Sequence, residues 1–541
     1  MPPMKGPNRM PTKTGKQILA EFLDCFEVDH VFGNPGTTET TFLDVVAGHP
    51  RCRYVLGLHE STATGIAAGY AIKSGKPAVL NIHTYPGLAN AMSSMFNAYA
   101  AGIPLLVIAG QQNRAHLIHE PILSGDLTLL AHTATHSRYQ VDRISDMSVL
   151  LQRAYLDASE SKSPCFVALP MEIYQDETAD AYFKPTKILG ASASDGLDQI
   201  AEVISGRAGK TVFVADAEAA WSPGIGAALR DLSLALGADV FLAPFSLVSM
   251  ADVDAANYRG VLPAVSSEAN EVLSGYDIVI LLGEKIQSFL HHEKPTLPAA
   301  PTIVQFSDGR TRIRYDCPFD FVVRGDIAGN LSALRRMLNV EPPLERPRPS
   351  SAPDNATLLW RILNRLDRGT PIVIEGSSHQ SQEEQIVAEL RFREVYFEPR
   401  GGALGMAMPM TVGMSLHSGT HSVCLLGDGG SMYSIHSIWT AAHYRIPVVF
   451  ICVVNHEYKI LKQLWKLQVP DSDPESYRAS MDLTDPEVDL HAIVRGFGGR
   501  VDHATPENFE HVLAEAFGHR GPTFITVDDT DLGSDAGAGP A

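Results

Sequence analysis

Short β-branched runs alternate with helical stretches along almost the whole chain. Apolar runs too short for helices, bounded by turn residues, read as strands buried on both faces. Strands of that kind joined by helices stack side by side as parallel sheets. Three groups result. Residues 14–188 hold candidate strands His30–Gly33, Tyr54–Leu58, Ala78–Ile82, Leu105–Ala109 and Cys165–Leu169. Residues 192–342 hold Thr211–Ala215, Asp239–Ala243, Asp277–Leu282, Thr302–Phe306 and Asp320–Val323. Residues 355–530 hold Pro371–Glu375, Val395–Glu398, Ser422–Leu426, Val448–Val454 and Thr523–Val527. A polar, small-residue stretch near 190 and the Pro-rich Glu341–Asn355 separate the groups. The expectation is an α/β protein of three doubly wound parallel-sheet domains, with loose tails at 1–13 and 531–541.

The first and third groups look like copies of one plan. NAYAAGIPLLVIAG (Asn97–Gly110) and TAAHYRIPVVFICVV (Thr440–Val454) share a helix, an Ile-Pro break and an apolar strand. Placing Ile103-Pro104 on Ile446-Pro447 is an offset of 343 residues, and it brings the loop HTYPG (His83–Gly87) to within one residue of the loop GDGGS (Gly427–Ser431). Ligands of open α/β sheets bind at the carboxyl ends of strands. Two related domains with unusual loops at equivalent strand ends predict one shared ligand.

Composition narrows the ligand. The net charge is −19, so there is no basic surplus to neutralise nucleic-acid phosphates or an anionic membrane. No apolar run reaches the roughly 20 residues that cross a bilayer. The first 13 residues are basic and Pro-rich but lack the apolar core of a signal peptide. The six cysteines form no CxxC and read as buried free thiols, which predicts a reducing, cytoplasmic setting.

The strongest local signal is GDGGSMYSIHSIWTAAHYRIPVVFICVVN. Gly427-Asp428-Gly429 follows an apolar strand, and the 25 residues Gly430–Val454 separate it from Asn455. Ile435, Ile438, Trp439 and Ala442 recur at helical spacing, and a strand then returns to Asn455. One βαβ unit therefore sets Asp428 and Asn455 side by side at strand ends. A carboxylate, an amide oxygen and a backbone carbonyl at Glu457 suit Mg²⁺, which takes oxygen ligands and keeps phosphate oxygens and water. Gly429 and Gly430 let backbone N–H groups approach a phosphate at a helix start.

These residues resemble the thiamine-diphosphate enzymes of the decarboxylase and acetolactate-synthase superfamily, whose fingerprint is GDG, about 25 residues, then Asn. The resemblance runs along nearly the whole chain and is nearest to benzoylformate decarboxylases. GNPGTTE (Gly33–Glu39), LHE (Leu58–Glu60), AGQQ (Ala109–Gln112), GGALG (Gly401–Gly405) and YSIHSIWTAAHYRIP (Tyr433–Pro447) carry it. It implies a first domain that binds the aminopyrimidine, a third that binds the diphosphate, and a homodimer or homotetramer with active sites between subunits.

The resemblance also implies roles. Glu60 would hydrogen-bond N1′ of the aminopyrimidine, although read alone it is an ordinary helix N-terminal acid. Gly402 would give a carbonyl to N4′ and Leu404 would wedge beneath the bent cofactor. Gly427, Gly429, Gly430 and Ser431 would hold the diphosphate, with Mg²⁺ on Asp428, Asn455 and Glu457. His83 resembles a proton-transferring histidine, with His291 or His292 in GEKIQSFLHHEKP as its partner and His291 favoured. Histidine suits proton transfer near neutral pH. Thr37 resembles the hydroxyl residue that holds the substrate carboxylate; otherwise it is a helix cap. Ile460 and Leu464 stand at substrate-lining positions, where benzoylformate decarboxylases have smaller and aromatic residues. This departure puts benzoylformate itself in doubt and favours an aliphatic or short 2-oxo acid. The implied activity is non-oxidative decarboxylation of a 2-oxo acid to an aldehyde. The alternative is a carboligase of the acetolactate-synthase type, which joins the activated fragment to a second carbonyl compound.

Overall fold

The computed structural model divides into two compact units, Met1–Ile188 and Leu189–Ala541. It describes residues 12–184, 196–206, 210–216, 224–244, 257–263, 265–283, 298, 300–308, 319–341 and 356–532, the last stretch without 377, 391, 393, 398–400, 470, 472, 474, 475 and 477.

The first unit is built on a six-stranded parallel sheet: β1 (His30–Asn34), β2 (Arg53–Leu56), β3 (Ala78–Ile82), β4 (Leu105–Gln111), β5 (Arg138–Gln140) and β6 (Pro164–Pro170). The spatial order is β2-β1-β3-β4-β6-β5. Every residue of β3, β4 and β6 is buried, as the uninterrupted apolar runs require of strands covered on both faces. Helix α1 (Gly15–Cys25) shows how the faces are covered. Thr14 and Gln17 form a reciprocal capping box, and Ile18, Leu19, Phe22 and Leu23 turn one stripe into the core. Lys13, grouped with the leading tail in the sequence, pairs with Thr178 in a two-stranded antiparallel ribbon. Helix α2 (Glu60–Ser74) buries eleven of its fifteen residues, which explains its run of Ala, Gly and Thr: only small side chains let it pack tightly against α3 (Thr84–Ala100) and the sheet.

The second unit carries two more parallel sheets. The first contains β7 (Thr211–Ala215), β8 (Asp239–Leu242), β9 (Tyr258–Val261), β10 (Ile278–Leu282), β11 (Thr302–Ser307) and β12 (Phe321–Arg324), in the order β9-β8-β7-β10-β11-β12. The second contains β13 (Ile372–Glu375), β14 (Val395–Tyr396), β15 (Ser422–Gly427), β16 (Val448–Val454), β17 (Arg500–His503) and β18 (Pro522–Asp528), in the order β14-β13-β15-β16-β18-β17. One apolar cluster, from Leu197 through Phe306 and Trp360 to Val527, runs across both sheets and joins them.

The strand order of the last sheet repeats that of the first sheet strand for strand, as the 343-residue offset predicts. The intervening sheet winds differently. In the two matching sheets the order reverses between the first and third strands, β1 and β3 in one and β13 and β15 in the other. Such reversals open a crevice at the carboxyl ends of the strands. Asn34 and Glu375 end β1 and β13, while His83 and Asp428 follow β3 and β15. Among the described residues, no helix is long and apolar enough to cross a membrane.

Candidate active site

In the first unit, three elements converge on Glu60. It opens α2, with His59 as the cap whose ring nitrogen accepts from the Ser61 N–H. The Glu60 carboxylate is 7% exposed. Its Oε1 accepts from Asn34 Nδ2 at 3.2 Å and its Oε2 from Asn90 Nδ2 at 3.0 Å. Asn34 comes from β1 and Asn90 from α3. Two neutral amides steady the carboxylate without neutralising it, so it can still exchange a proton with a ligand nitrogen.

His83 stands at the N-cap position of α3, directly after β3, with no capping bond from its side chain. Its Nδ1 lies 2.8 Å from Glu39 Oε2 and 3.0 Å from Thr38 Oγ1. Thr84, the next residue, is fully buried in the left-handed region at φ +43°, and its hydroxyl meets no hydrogen-bond partner among the described residues. Strain of this kind concentrates at functional turns. Thr37 opens a short 3₁₀ turn with its side chain at the surface of the unit, whereas Thr38 and Glu39 are buried.

In the second unit, β15 and β16 are paired in parallel through Gly427 and Val453, which brings Asp428 to Asn455. Asp428 Oδ2 accepts the N–H groups of Asn455 at 3.2 Å and His456 at 2.7 Å, and Oδ1 accepts that of Gly429 at 2.8 Å. Burial pushes this carboxyl above the usual carboxylate range, against the pull of those three N–H groups. A carboxylate in this position gains from a cation. Asn455 adds an amide oxygen, which accepts from Glu457 N–H at 3.1 Å. The donor set is oxygen alone, the chemistry of a small hard ion rather than of zinc. A single carboxylate leaves charge to be supplied by a ligand. The turn Asp428–Ser431 starts the crossover, and Ser431 Oγ donates to the Asp428 carbonyl at 2.6 Å. A side chain at Gly429 would run into the Tyr458 ring at 2.7 Å, so backbone alone fits there.

The GGALG segment is fixed by a residue that sequence reasoning missed. Glu375, 1% exposed at the end of β13, accepts the N–H groups of Gly405 at 2.9 Å, Met406 at 2.9 Å and Ala407 at 2.7 Å. It thereby caps helix α4 (Ala407–Ser418) from outside the helix. Burial raises its pKa although those N–H groups hold it down. Gly402 sits at φ +72° on the exposed side of the loop, and Leu404 is half-buried. The signal that could have found Glu375 is an acid closing the apolar run PIVIE, a place where a strand end meets ligand or loop. Asn34, Asn90 and Glu39 had no such signal.

The Glu457 carboxylate is drawn to Lys462, which also holds Asp482, so its side chain is engaged away from Asp428. Ile460 is 37% exposed on helix α6 (Lys459–Gln468) once α5 (Ser437–His443) and β16 have passed. Leu464 lies one turn further along α6, with its side chain outside the described residues. His291 and His292 also lie outside them.

Comparison with known proteins gives three successive matches of one family. Residues 13–128 match the thiamine pyrophosphate enzyme N-terminal TPP binding domain, 197–334 the central domain and 377–527 the C-terminal TPP binding domain. The chain is 29% identical to benzoylformate decarboxylase of Pseudomonas aeruginosa over 95% of this chain and 98% of that one. It is 22% identical to the acetolactate synthase large subunit of Haemophilus influenzae over 96% and 95%. Among solved structures it resembles the thiamine diphosphate-dependent 4-hydroxybenzoylformate decarboxylase of Rhodococcus jostii, with a TM-score of 0.82, 26% identity, and 95% and 99% of the two chains covered.

Proposed function

The chain belongs to the thiamine pyrophosphate enzymes, and from that premise we propose that it decarboxylates a 2-oxo acid without oxidation, yielding an aldehyde. The C1–C2 bond of the acid breaks, CO₂ leaves, and the electron pair kept at C2 takes a proton. When bound, thiamine diphosphate supplies the electron sink for that cleavage.

The chain's own groups divide the remaining work. Asp428, Asn455 and the Glu457 carbonyl would hold Mg²⁺, and the backbone of Gly427, Gly429 and Gly430 with Ser431 would receive the diphosphate. Gly402 and Leu404 would seat the aminopyrimidine, and Glu60 would be the group that exchanges a proton with its N1′. Thr37 binds the substrate carboxylate, Ile460 and Leu464 line its side chain, and bulky aliphatics there favour an aliphatic or short 2-oxo acid. His83 carries the proton to C2, assisted by His291. The domain limits 14–188, 192–342 and 355–530, a cytoplasmic setting and an assembly of two or four copies with shared active sites belong to the same reading.

The observation that carries it is the buried carboxylate of Glu60, steadied by Asn34 and Asn90 at a strand-end crevice. The test is product analysis after incubation with Mg²⁺, thiamine diphosphate and a panel of short, branched and aromatic 2-oxo acids. Aldehyde and CO₂ are expected; bound cofactor with no CO₂ from any acid would sink the reading. The 22% relationship to an acetolactate synthase, spanning 96% of the chain, favours a carboligase as the second reading. A hydroxyketone in place of the aldehyde would select it.

A further inference from the structure

We propose that Glu39 is the positioning residue that fixes the tautomer and orientation of His83, so that Nε2 is the nitrogen that exchanges the proton. This rests on the reading of His83 as the proton carrier and extends it to a residue with no role assigned so far.

Glu39 lies at the end of the 3₁₀ turn after β1 and is 1% exposed. A carboxylate that buried needs hydrogen-bond donors on its oxygens. Three donors reach it: the Gly36 N–H at 3.0 Å and the His83 Nδ1 at 2.8 Å on Oε2, and the Thr38 hydroxyl at 2.5 Å on Oε1. A carboxylate only accepts, so Nδ1 must carry hydrogen. In neutral His83 the lone pair then sits on Nε2, and no described residue hydrogen-bonds that atom. A carboxylate behind an imidazole holds one tautomer and one ring angle while the far nitrogen works.

The backbone around the pair is shaped for it. A side chain on Gly36 would meet the His83 ring at 2.2 Å, and one on Gly110 would meet Glu39 Oε1 at 2.0 Å and Thr38 Oγ1 at 2.4 Å. The GNPGTTE and AGQQ segments lie far apart in sequence, yet each gives up a side chain at the one place where the Glu39–His83 pair needs the volume. A generic buried ion pair does not require two such clearances from separate segments, the turn after β1 and the strand β4.

The test is a double-mutant cycle in the 2-oxo acid decarboxylation assay, with cofactor saturating. His83→Ala is expected to lower kcat by about 10²- to 10⁴-fold. Glu39→Gln, which can present an amide N–H to Nδ1 and favour the other tautomer, should lower kcat on the order of 10- to 100-fold with KM held. Combining the two should be no worse than His83→Ala alone, because a residue that acts through His83 has nothing left to position. A merely structural Glu39 would instead add its loss to that of His83→Ala, which would overturn the proposal. If His83→Ala keeps the wild-type rate, the proton-carrier reading falls and this inference with it. If only Glu39→Gln is silent, the inference alone falls. A measurement on the wild-type chain without cofactor keeps the idea falsifiable should Glu39→Gln not fold. Long-range ¹H–¹⁵N spectra of histidine-labelled protein should show His83 protonated at Nδ1 when neutral, and a neutral Nε2–H form would refute it.

Discussion

At the scale of single residues, the two carboxylates proposed for the ligand site are held in the same way, by uncharged donors. Glu60 is held by two neutral amides and Asp428 by three backbone N–H groups, and no cation among the described residues pairs with either carboxylate. Replacing Glu60 by Gln keeps its shape and one of its two accepted hydrogen bonds and removes its proton chemistry. CO₂ release should fall by about 10²- to 10⁴-fold with far-UV circular dichroism unchanged. Asp529 shows the opposite treatment. His379 Nε2 at 2.5 Å, then Lys459 Nζ at 2.7 and 3.0 Å, pull its pKa from 3.8 to about 2 despite partial burial. A depressed acid contributes stability above its unfolded value and loses it as pH falls through the folded one. Asp529 therefore contributes roughly 1–2 kcal/mol near pH 6, and most of that contribution is lost between about pH 4 and pH 2. Urea unfolding of Asp529→Asn should show that deficit near pH 6 and only a small remainder of it at about pH 2. An equal deficit at both pH values would assign the effect to packing instead.

At the scale of elements, the sequence speaks most clearly where burial is complete. Each six-stranded sheet contains one strand that the apolar runs do not reveal: β5 (Arg138–Gln140), β9 (Tyr258–Val261) and β17 (Arg500–His503). All three are edge strands. Paired on one side and partly exposed, they have no need of a continuous apolar run, and the pattern that marks β3 or β16 is absent from them. The βαβ unit from Gly427 to Asn455 was legible because its spacing is local. Glu375, Asn34 and Asn90 were not, because their partners come from distant segments and only the folded crevice brings them together. Glu375 makes the point testable. Its carboxylate serves three N–H groups at the start of α4, and hydrogen bonds to a charged group contribute about 1.5–3 kcal/mol. Glu375→Gln can satisfy fewer of them. It should lower stability within that range and loosen the Gly402–Leu404 segment, so calorimetric titration should find weaker thiamine diphosphate binding. Unchanged affinity alongside lost stability would confine Glu375 to a structural role.

At the scale of the whole molecule, the repeated strand plan puts an acid on one copy and a metal-type loop on the other. Glu60 belongs to the first unit and Asp428 to the second. If the proposed assembly shares active sites between subunits, each site takes Glu60 from one subunit and Asp428 from its partner. Two inactive variants can then rescue each other. Glu60→Gln and Asp428→Asn are each expected to be nearly inert. In a mixed dimer, one site collects both defects and the other collects none. Random pairing makes about half of the dimers mixed, each with one intact site of two, so the mixture should recover roughly one quarter of wild-type activity. The two chains must exchange, which dilution and reconcentration or co-expression achieves. Sites built within single subunits give no recovery, because every chain then carries one defect in its own site. Recovery near one quarter, rising with the fraction of mixed dimers seen by native mass spectrometry, would support sharing; inert mixtures with mixed dimers present would rule it out.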